Sequence, residues 1–170
     1  MWWYGHRYFS HMIGDAITPT GEKMVNLPIA RPTDAIRAEV EPTAQRLITL
    51  INTRRETVRE LLRWLRVEFG VNAPGGVLSE FRSMAETAFI EEVRSRRGRG
   101  AVQLRAAALN SLLAEYQEYA GRVNAIDAEM NMLERRLSDA VNRAYGLTPE
   151  EIALLWRTAP PRMPGKLSFE

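Results

Sequence analysis

The chain has 170 residues, of which 45% are hydrophobic and 26% are charged, so it can bury a core as ordinary globular proteins do. Its net charge of +2 gives no global argument for a nucleic-acid partner, and the lack of cysteine excludes disulfides and thiolate metal sites. Its apolar runs are too short to span a bilayer and it starts without a signal-peptide pattern, so we expect a cytoplasmic protein with no membrane partner.

Residues 1–32 are predicted to form an extended, aromatic-rich N-terminal segment. Five aromatics fall within the first nine residues, MWWYGHRYF, and GDAITPTGEK at 14–23 is typical of turns and loops. The following MVNLPIARP at 24–32 predicts a short strand or extended stretch that ends at its second proline. Because this segment cannot form a core by itself, we expect it to dock on a partner or on a larger structure.

The first long helix is predicted to begin near Thr33 and to end at Phe69, with Gly70 as its C-cap. Proline starts a helix readily, so we expect a break or kink just before Pro42. Beyond it, apolar residues recur at heptad spacing, with Arg54 interrupting the seam. These apolar residues are Ala44, Leu47, Ile51, Val58, Leu61 and Leu65.

Residues 71–103 are predicted to connect two long helices. VNAPGG at 71–76 indicates a loop, and the residues from Leu78 to Val93 indicate one or two short helices. RSRRGRG at 94–100 then predicts a basic loop. The connector is therefore expected to be compact.

The second long helix, from about Leu104 to Tyr145, carries the strongest periodic signal in the chain. Its apolar residues alternate by three and four over about four and a half heptads. They are Leu109, Leu112, Tyr116, Tyr119, Val123, Ile126, Met130, Leu133, Leu137 and Val141. The similar apolar stripe of the first helix is the nearest surface that can bury these residues. A compact connector between the two helices favours antiparallel packing. The sequence thus predicts an all-α fold built on a long antiparallel two-helix coiled-coil hairpin.

A third, short helix is predicted after Gly146, running to about Arg157. Thr148 is placed as its N-cap, Pro149 as its first residue and Glu151 at the capping-box position. Its apolar residues, which we expect to face the end of the hairpin, are Ile152, Leu155 and Trp156. Residues 33–170 are accordingly predicted to form one helical hairpin domain that includes this C-terminal helix.

The sequence carries no motif for catalysis, for a cofactor or for a metal. His6 and His11 are five residues apart, so they cannot share a helical face as paired ligands do, and a structural or exposed role is expected for both. No nucleophile-elbow sequence is present. The glycine-containing APGG and RGRG stretches lack the lysine and the strand-then-helix context of a phosphate loop.

Two arginine clusters are the candidate sites, as weak contacts to the phosphates of duplex DNA. The loop cluster consists of Arg94, Arg96, Arg97 and Arg99, and the helix stripe consists of Arg55, Arg59 and Arg63. The loop also fits simple disorder, and the stripe also fits a solvated face paired with Glu56 and Glu60. The excess of 21 arginines over two lysines also fits GC-rich coding.

The chain resembles, over about residues 24–164, the C-terminal helical region of large adenine-specific DNA methyltransferases of restriction–modification and phage-defence systems. LERRLSDAVNRAYGLTPEEIALLWRTAPPRMP at 133–164 resembles the end of those proteins. NLPIARP at 26–32 resembles the segment that leaves their target-recognition domain, and LLRWLRVEFGV at 61–71 resembles the segment before their variable connector. The resemblance implies that residues 1–32 are a remnant of the recognition domain and that the helices form a spacer and DNA-clamping module.

The chain departs from those enzymes in the residues that perform the chemistry. They use an Asn-Pro-Pro-aromatic motif that holds the target base, whereas the single Pro-Pro pair here lies in Ala159-Pro160-Pro161-Arg162. No glycine-rich turn for S-adenosylmethionine follows a strand. We therefore expect no enzymatic activity from this chain alone, and a methyltransferase or restriction subunit, or the missing catalytic part of the same enzyme, as partner. The alternative is a generic coiled-coil assembly protein that forms homodimers.

Overall fold

In the computed structural model the protein is all-α, as predicted, and its two long helices pack against each other. The structure describes residues 2–11, 17–18, 20–98 and 104–159. Its elements in chain order are α1 (Trp2–Tyr8), β1 (Ser10–His11), β2 (Ile17–Thr18), α2 (Gly21–Val25), α3 (Asp34–Phe69), α4 (Gly75–Ser79), a 3-10 turn (Phe81–Ser83), α5 (Glu86–Arg96), α6 (Ala106–Ala144) and α7 (Pro149–Arg157). The two short strands pair antiparallel.

The first long helix, α3, is continuous over Asp34–Phe69, so of the predicted break or kink before Pro42 the break is wrong and the kink stays a prediction. The exposed proline ring lies on the solvent side, while the next residue, Thr43, is buried. The helix thus continues past the missing backbone donor, with Pro42 exposed and the adjacent side of the helix buried. At the C-terminal end, Gly70 adopts a φ of 68° and donates its N–H to the Arg66 carbonyl at 3.1 Å, as the predicted cap requires.

Ion pairs between α3 and α6 give the direction of the hairpin. Within residues 45–132 they join Arg46 to Glu129 at 2.7 Å, Arg54 to Asp127 at 2.8 Å, and Glu60 to Arg122 at 3.2 Å. As the residue number rises along α3, it falls along α6. The two helices are therefore antiparallel, and the predicted fold class is confirmed.

The chain divides into two compact units, residues 45–132 and residues 1–44 together with 133–170. The predicted division after residue 32 stays a prediction. In the central unit (residues 45–132), the ends of α3 and α6 enclose α4 and α5 around one apolar core. Its buried members are Leu61, Leu65, Phe69, Val71, Leu78, Phe81, Phe89, Val93, Leu112, Tyr116, Ala120 and Val123.

The terminal unit (residues 1–44 and 133–170) has a smaller set of buried side chains among its described residues. They are Phe9, Thr43, Leu133 and Ala140. Glu39 of α3 pairs with Arg143 of α6, and the Tyr145 hydroxyl donates to the Pro28 carbonyl at 2.7 Å. These contacts attach the segment before α3 to the end of α6.

The predicted caps at the end of α6 and the start of α7 are confirmed. Gly146 has a φ of 64° and donates to the Arg143 carbonyl at 3.0 Å, while Leu147 donates to Asn142 at 3.1 Å. The Thr148 hydroxyl accepts from the Glu151 N–H at 3.3 Å, and the Glu151 carboxylate accepts from the Thr148 N–H at 2.8 Å. The predicted apolar residues of α7, Ile152, Leu155 and Trp156, are half-buried.

The predicted extended conformation of residues 1–32 is wrong over Trp2–Tyr8 and Gly21–Val25, which are helical. One helical turn places Gly5 and Phe9 on the same side, and both are buried. Burial of that side favours a helix over the strand that the aromatics suggest. Residues 27–33 have no regular secondary structure, in agreement with an extended stretch there.

The buried side chains along α3 and α6 are shifted by one residue from the predicted ones at some positions. On α3, Leu50 and Thr57 are 4% and 2% exposed, whereas the predicted Ile51 is half-buried. Thr57 is tolerated there because its hydroxyl donates to the Thr53 carbonyl at 2.9 Å. On α6 the predicted Val141 is 46% exposed, and its smaller neighbour at position 140 is buried instead.

Candidate nucleic-acid interface

The predicted helix stripe lies on the exposed outer face of α3. Arg55, Arg59 and Arg63 are spaced by four residues, so each is displaced by about 6 Å along the helix axis from the next. Arg66 follows one turn later, and all four side chains are exposed. The arginines from position 55 to position 66 therefore extend over about 16 Å.

Most of this face is not neutralised by the glutamates beside it. Arg59 pairs with Glu56 at 2.5 Å, which matches the solvated-pair interpretation for that arginine. Glu60 instead reaches across to Arg122 of α6. The guanidinium groups of the remaining three form no ion pair with another described residue; they belong to Arg55, Arg63 and Arg66. We call these three residues the α3 arginine face.

The predicted basic loop at 94–100 is wrong for its first residues, because Arg94 and Arg96 lie in the last turn of α5. Arg96 donates from Nε to the Glu92 carboxylate at 2.7 Å and from Nη1 to the Ala73 carbonyl at 3.2 Å. Arg97 donates from Nε to the Phe69 carbonyl at 3.0 Å. Arg99 lies outside the described residues.

Two members of the loop cluster therefore hold the connector in place. The last carbonyls of a helix have no partner within the helix, and Arg97 supplies one for α3. Arg96 fixes the loop that enters α4. Gly75, at the start of that helix, has a φ of 65°, and a Cβ added at this position would lie 2.5 Å from the Arg96 guanidinium. Arg94 is exposed and forms no ion pair with another described residue. Two described members of the loop cluster, Arg96 and Arg97, are therefore engaged in structural contacts.

An ionic cluster that was not predicted from the sequence lies where Arg54 interrupts the apolar seam of α3. The Asp127 carboxylate accepts from Arg54 Nε at 2.8 Å and lies 2.9 Å from Arg82 Nη1. Glu80 lies 3.8 Å from the Arg54 guanidinium. The sequence signal for this cluster was Arg54 within the heptad repeat, but the residues that pair with it come from α6 and from the connector. The cluster holds α3, the connector and α6 together.

The perturbed titratable groups also belong to structural contacts. Burial raises the pKa of the Tyr116 hydroxyl, with a further contribution from the Glu86 carboxylate, and that hydroxyl donates to the Met84 carbonyl. The hydrogen bond from Arg46 lowers the pKa of Glu129. Within the described part of the chain, no group of His, Cys, Asp or Glu could hold a metal ion.

No helix in the described ranges is long and apolar enough to cross a membrane. A family model described as a domain of unknown function, DUF8810, matches residues 33–141. The matched region begins at the N-cap of α3 and reaches the last turn of α6, so it includes the α3 arginine face and the ionic cluster. No curated protein and no solved structure matches the chain.

Proposed function

Since the chain belongs to the family defined by DUF8810, a domain of unknown function, we propose its function from its own residues. It is a non-catalytic helical spacer that holds the backbone of duplex DNA for an adenine-specific restriction–modification methyltransferase. The observation that carries the proposal is the α3 arginine face, with three exposed guanidinium groups that no described carboxylate neutralises. Phosphate contacts of this kind position a protein on DNA without reading its sequence.

The resemblance of residues 24–164 to the C-terminal region of such methyltransferases supports the choice of enzyme. A spacer must hold a defined geometry, and the caps at Gly70, Gly146 and Thr148 give the helices fixed ends. The methyl-transfer chemistry would come from a methyltransferase partner or from a catalytic domain linked to this region. A role on DNA places the protein in the cytoplasm.

The alternative role as a homodimerising coiled coil has less support. Such a protein needs an apolar seam that a second copy can cover, but the α3 seam of the central unit is already covered by α6. Exposed apolar side chains such as Ile48 and Val67 are single positions beside polar ones. Sedimentation of the isolated protein separates the two roles, because the alternative requires a stable dimer without DNA.

Fluorescence anisotropy with a labelled duplex at low salt tests the DNA contact. The triple variant Arg55→Gln, Arg63→Gln, Arg66→Gln should bind more weakly by roughly 3- to 150-fold, if each exposed cation contributes about 0.2–1 kcal/mol. The matched control changes three exposed arginines of the terminal unit, Arg135, Arg136 and Arg157, to Gln and removes the same net charge. Equal weakening in both variants, or no binding by the wild type, would refute the contact.

Copurification tests the partner. A tagged full-length chain recovered from its own cells should bring with it a protein that carries the Asn-Pro-Pro-aromatic motif. A recovery that contains no methyltransferase and no restriction subunit, with or without DNA, would contradict the assignment to this class of enzyme.

A further inference from the structure

A cleft in the central unit lies between the last turns of α3 and the first turns of α6. Its volume is about 440 Å³, within the range of small-molecule sites. Trp64 and Phe69 line it from α3, and Leu104 and Ala108 line it from the start of α6. Arg63 and Arg66 of the α3 arginine face lie about 100° and about 160° around the helix axis from Trp64. The cleft was not predicted from the sequence, and the proposed spacer function does not use it.

The aromatic side of the cleft is formed by two rings in contact and is partly open. The Trp64 and Phe69 rings are in contact, with centroids 5.0 Å apart and planes inclined by 60°. Phe69 is a buried member of the core, whereas Trp64 packs against that core but stays half-buried. Trp64 is thus held in place from behind while part of its ring faces the cleft. A base of a nucleic-acid strand stacks on such a ring whatever its identity.

The charged side of the cleft favours an anion. Among its described lining residues, Arg97 and Arg105 carry positive charge and Glu68 is the one carboxylate. Arg97 uses Nε to hold the Phe69 carbonyl, which fixes the side chain and leaves its terminal nitrogens for a ligand. Arg105 is exposed and forms no ion pair with another described residue. It immediately precedes α6, so the positive end of that helix dipole lies at the same wall.

We propose that this cleft receives an unpaired base of a DNA strand. The base stacks on Trp64, and the adjacent phosphates bind Arg105 and the terminal nitrogens of Arg97. Residues one and two positions apart on a helix do not face each other, so the cleft is a DNA contact separate from the α3 arginine face. The inference rests on the proposed DNA-binding function and adds a contact to a base.

The test compares two single strands of equal length and charge, one with normal bases and one with an abasic sugar at every position. The full-length protein should bind the base-containing strand about 5- to 150-fold more tightly, the range expected for one stacked base. Trp64→Leu should abolish this preference, and Trp64→Phe should retain part of it. Equal affinity of the wild type for the two strands would overturn the proposal.

Two further variants keep the result interpretable if Trp64→Leu does not fold. Ala107→Leu fills the cleft from an exposed position without adding an aromatic ring and should also abolish the preference for bases. Arg105→Glu should weaken both strands about equally, because it acts on phosphate, whereas Arg135→Glu should change neither. A preference that survives Ala107→Leu would place the stacked base elsewhere and overturn the proposal.

The failure of this inference is distinguishable from failure of the proposed function. If duplex binding depends on the α3 arginine face but bases make no difference to single-strand binding, the cleft proposal alone is wrong. If neither duplex nor single strands bind, both proposals are wrong.

Discussion

Replacing Asp127 with alanine should destabilise the protein by about 1.5–3 kcal/mol, because the ionic cluster depends on this carboxylate. One oxygen accepts from Arg54 at 2.8 Å, and the other lies 2.9 Å from Arg82. Asp127, Arg54 and Arg82 are 19%, 24% and 36% exposed, so Arg82 would lose its carboxylate partner in a partly desolvated place and Arg54 would keep only Glu80 at 3.8 Å.

The magnitude follows from that exposure. Breaking a fully buried pair costs about 3–5 kcal/mol, whereas an exposed pair contributes about 0.2–1 kcal/mol. Side chains that are a fifth to a third exposed regain some hydration, so the cost lies between these limits. For a chain of this size, the corresponding fall in melting temperature is about 3–12 °C.

Urea unfolding followed by circular dichroism measures the change. The control is Glu134→Ala, which removes an exposed carboxylate of α6 that pairs with no other described residue. That variant should lie within about 0.5 kcal/mol of the wild type. If Asp127→Ala is as stable as Glu134→Ala, the cluster does not hold the helices together and the reasoning is refuted.

Phe89→Ala should lower the free energy of unfolding by about 3–5 kcal/mol in the same assay, since Phe89 is fully buried with its ring 4.6 Å from that of Tyr116. Thr148→Ala should cost about 0.5–2 kcal/mol, and an unchanged melt would mean that the cap does not stabilise α7. Because the hydrogen bond from Arg46 lowers the pKa of Glu129, the ionised carboxylate stabilises the folded state. This stabilisation is complete above the pKa of Glu in the unfolded chain, about 4.3, and is lost as the pH falls through the lower pKa of the folded state. Urea unfolding at several acidic pH values should therefore show a smaller acid loss for Glu129→Gln than for the wild type. With labelled S-adenosylmethionine, the purified chain should transfer no methyl group to DNA, and DNA-dependent labelling would contradict the non-catalytic role.

The features that could be predicted from the sequence are those that local residues determine. The apolar repeat of α6 and the Thr148-Pro149 start of α7 were placed within one or two residues of their observed positions. The continuity of α3 through Pro42 could not be predicted in this way. The cost of a proline inside a helix is local, whereas the burial of Thr43 and Leu47 beside it depends on residues distant in sequence.

The roles of the arginines depend on contacts between distant residues. Arg97 binds a carbonyl 28 residues earlier, and Arg96 binds one 23 residues earlier, so neither contact has a local sequence signal. Glu60 lies among the α3 arginines in the sequence, but its carboxylate pairs with Arg122 of α6. Because Arg96 and Arg97 are engaged in structural contacts whereas Arg55, Arg63 and Arg66 form no ion pair with another described residue, the α3 arginine face is the stronger of the two candidates. The Trp64 cleft likewise combines residues about forty positions apart.

The salt dependence of duplex binding tests the central claim most directly. If Arg55, Arg63 and Arg66 each neutralise one phosphate, the logarithm of the affinity should fall against the logarithm of salt concentration with a slope of magnitude about 3. The triple glutamine variant should bring that slope close to zero, while the matched Arg135, Arg136 and Arg157 variant should keep it. An unchanged slope in the triple variant, or no binding by the wild type even at low salt, would contradict the account.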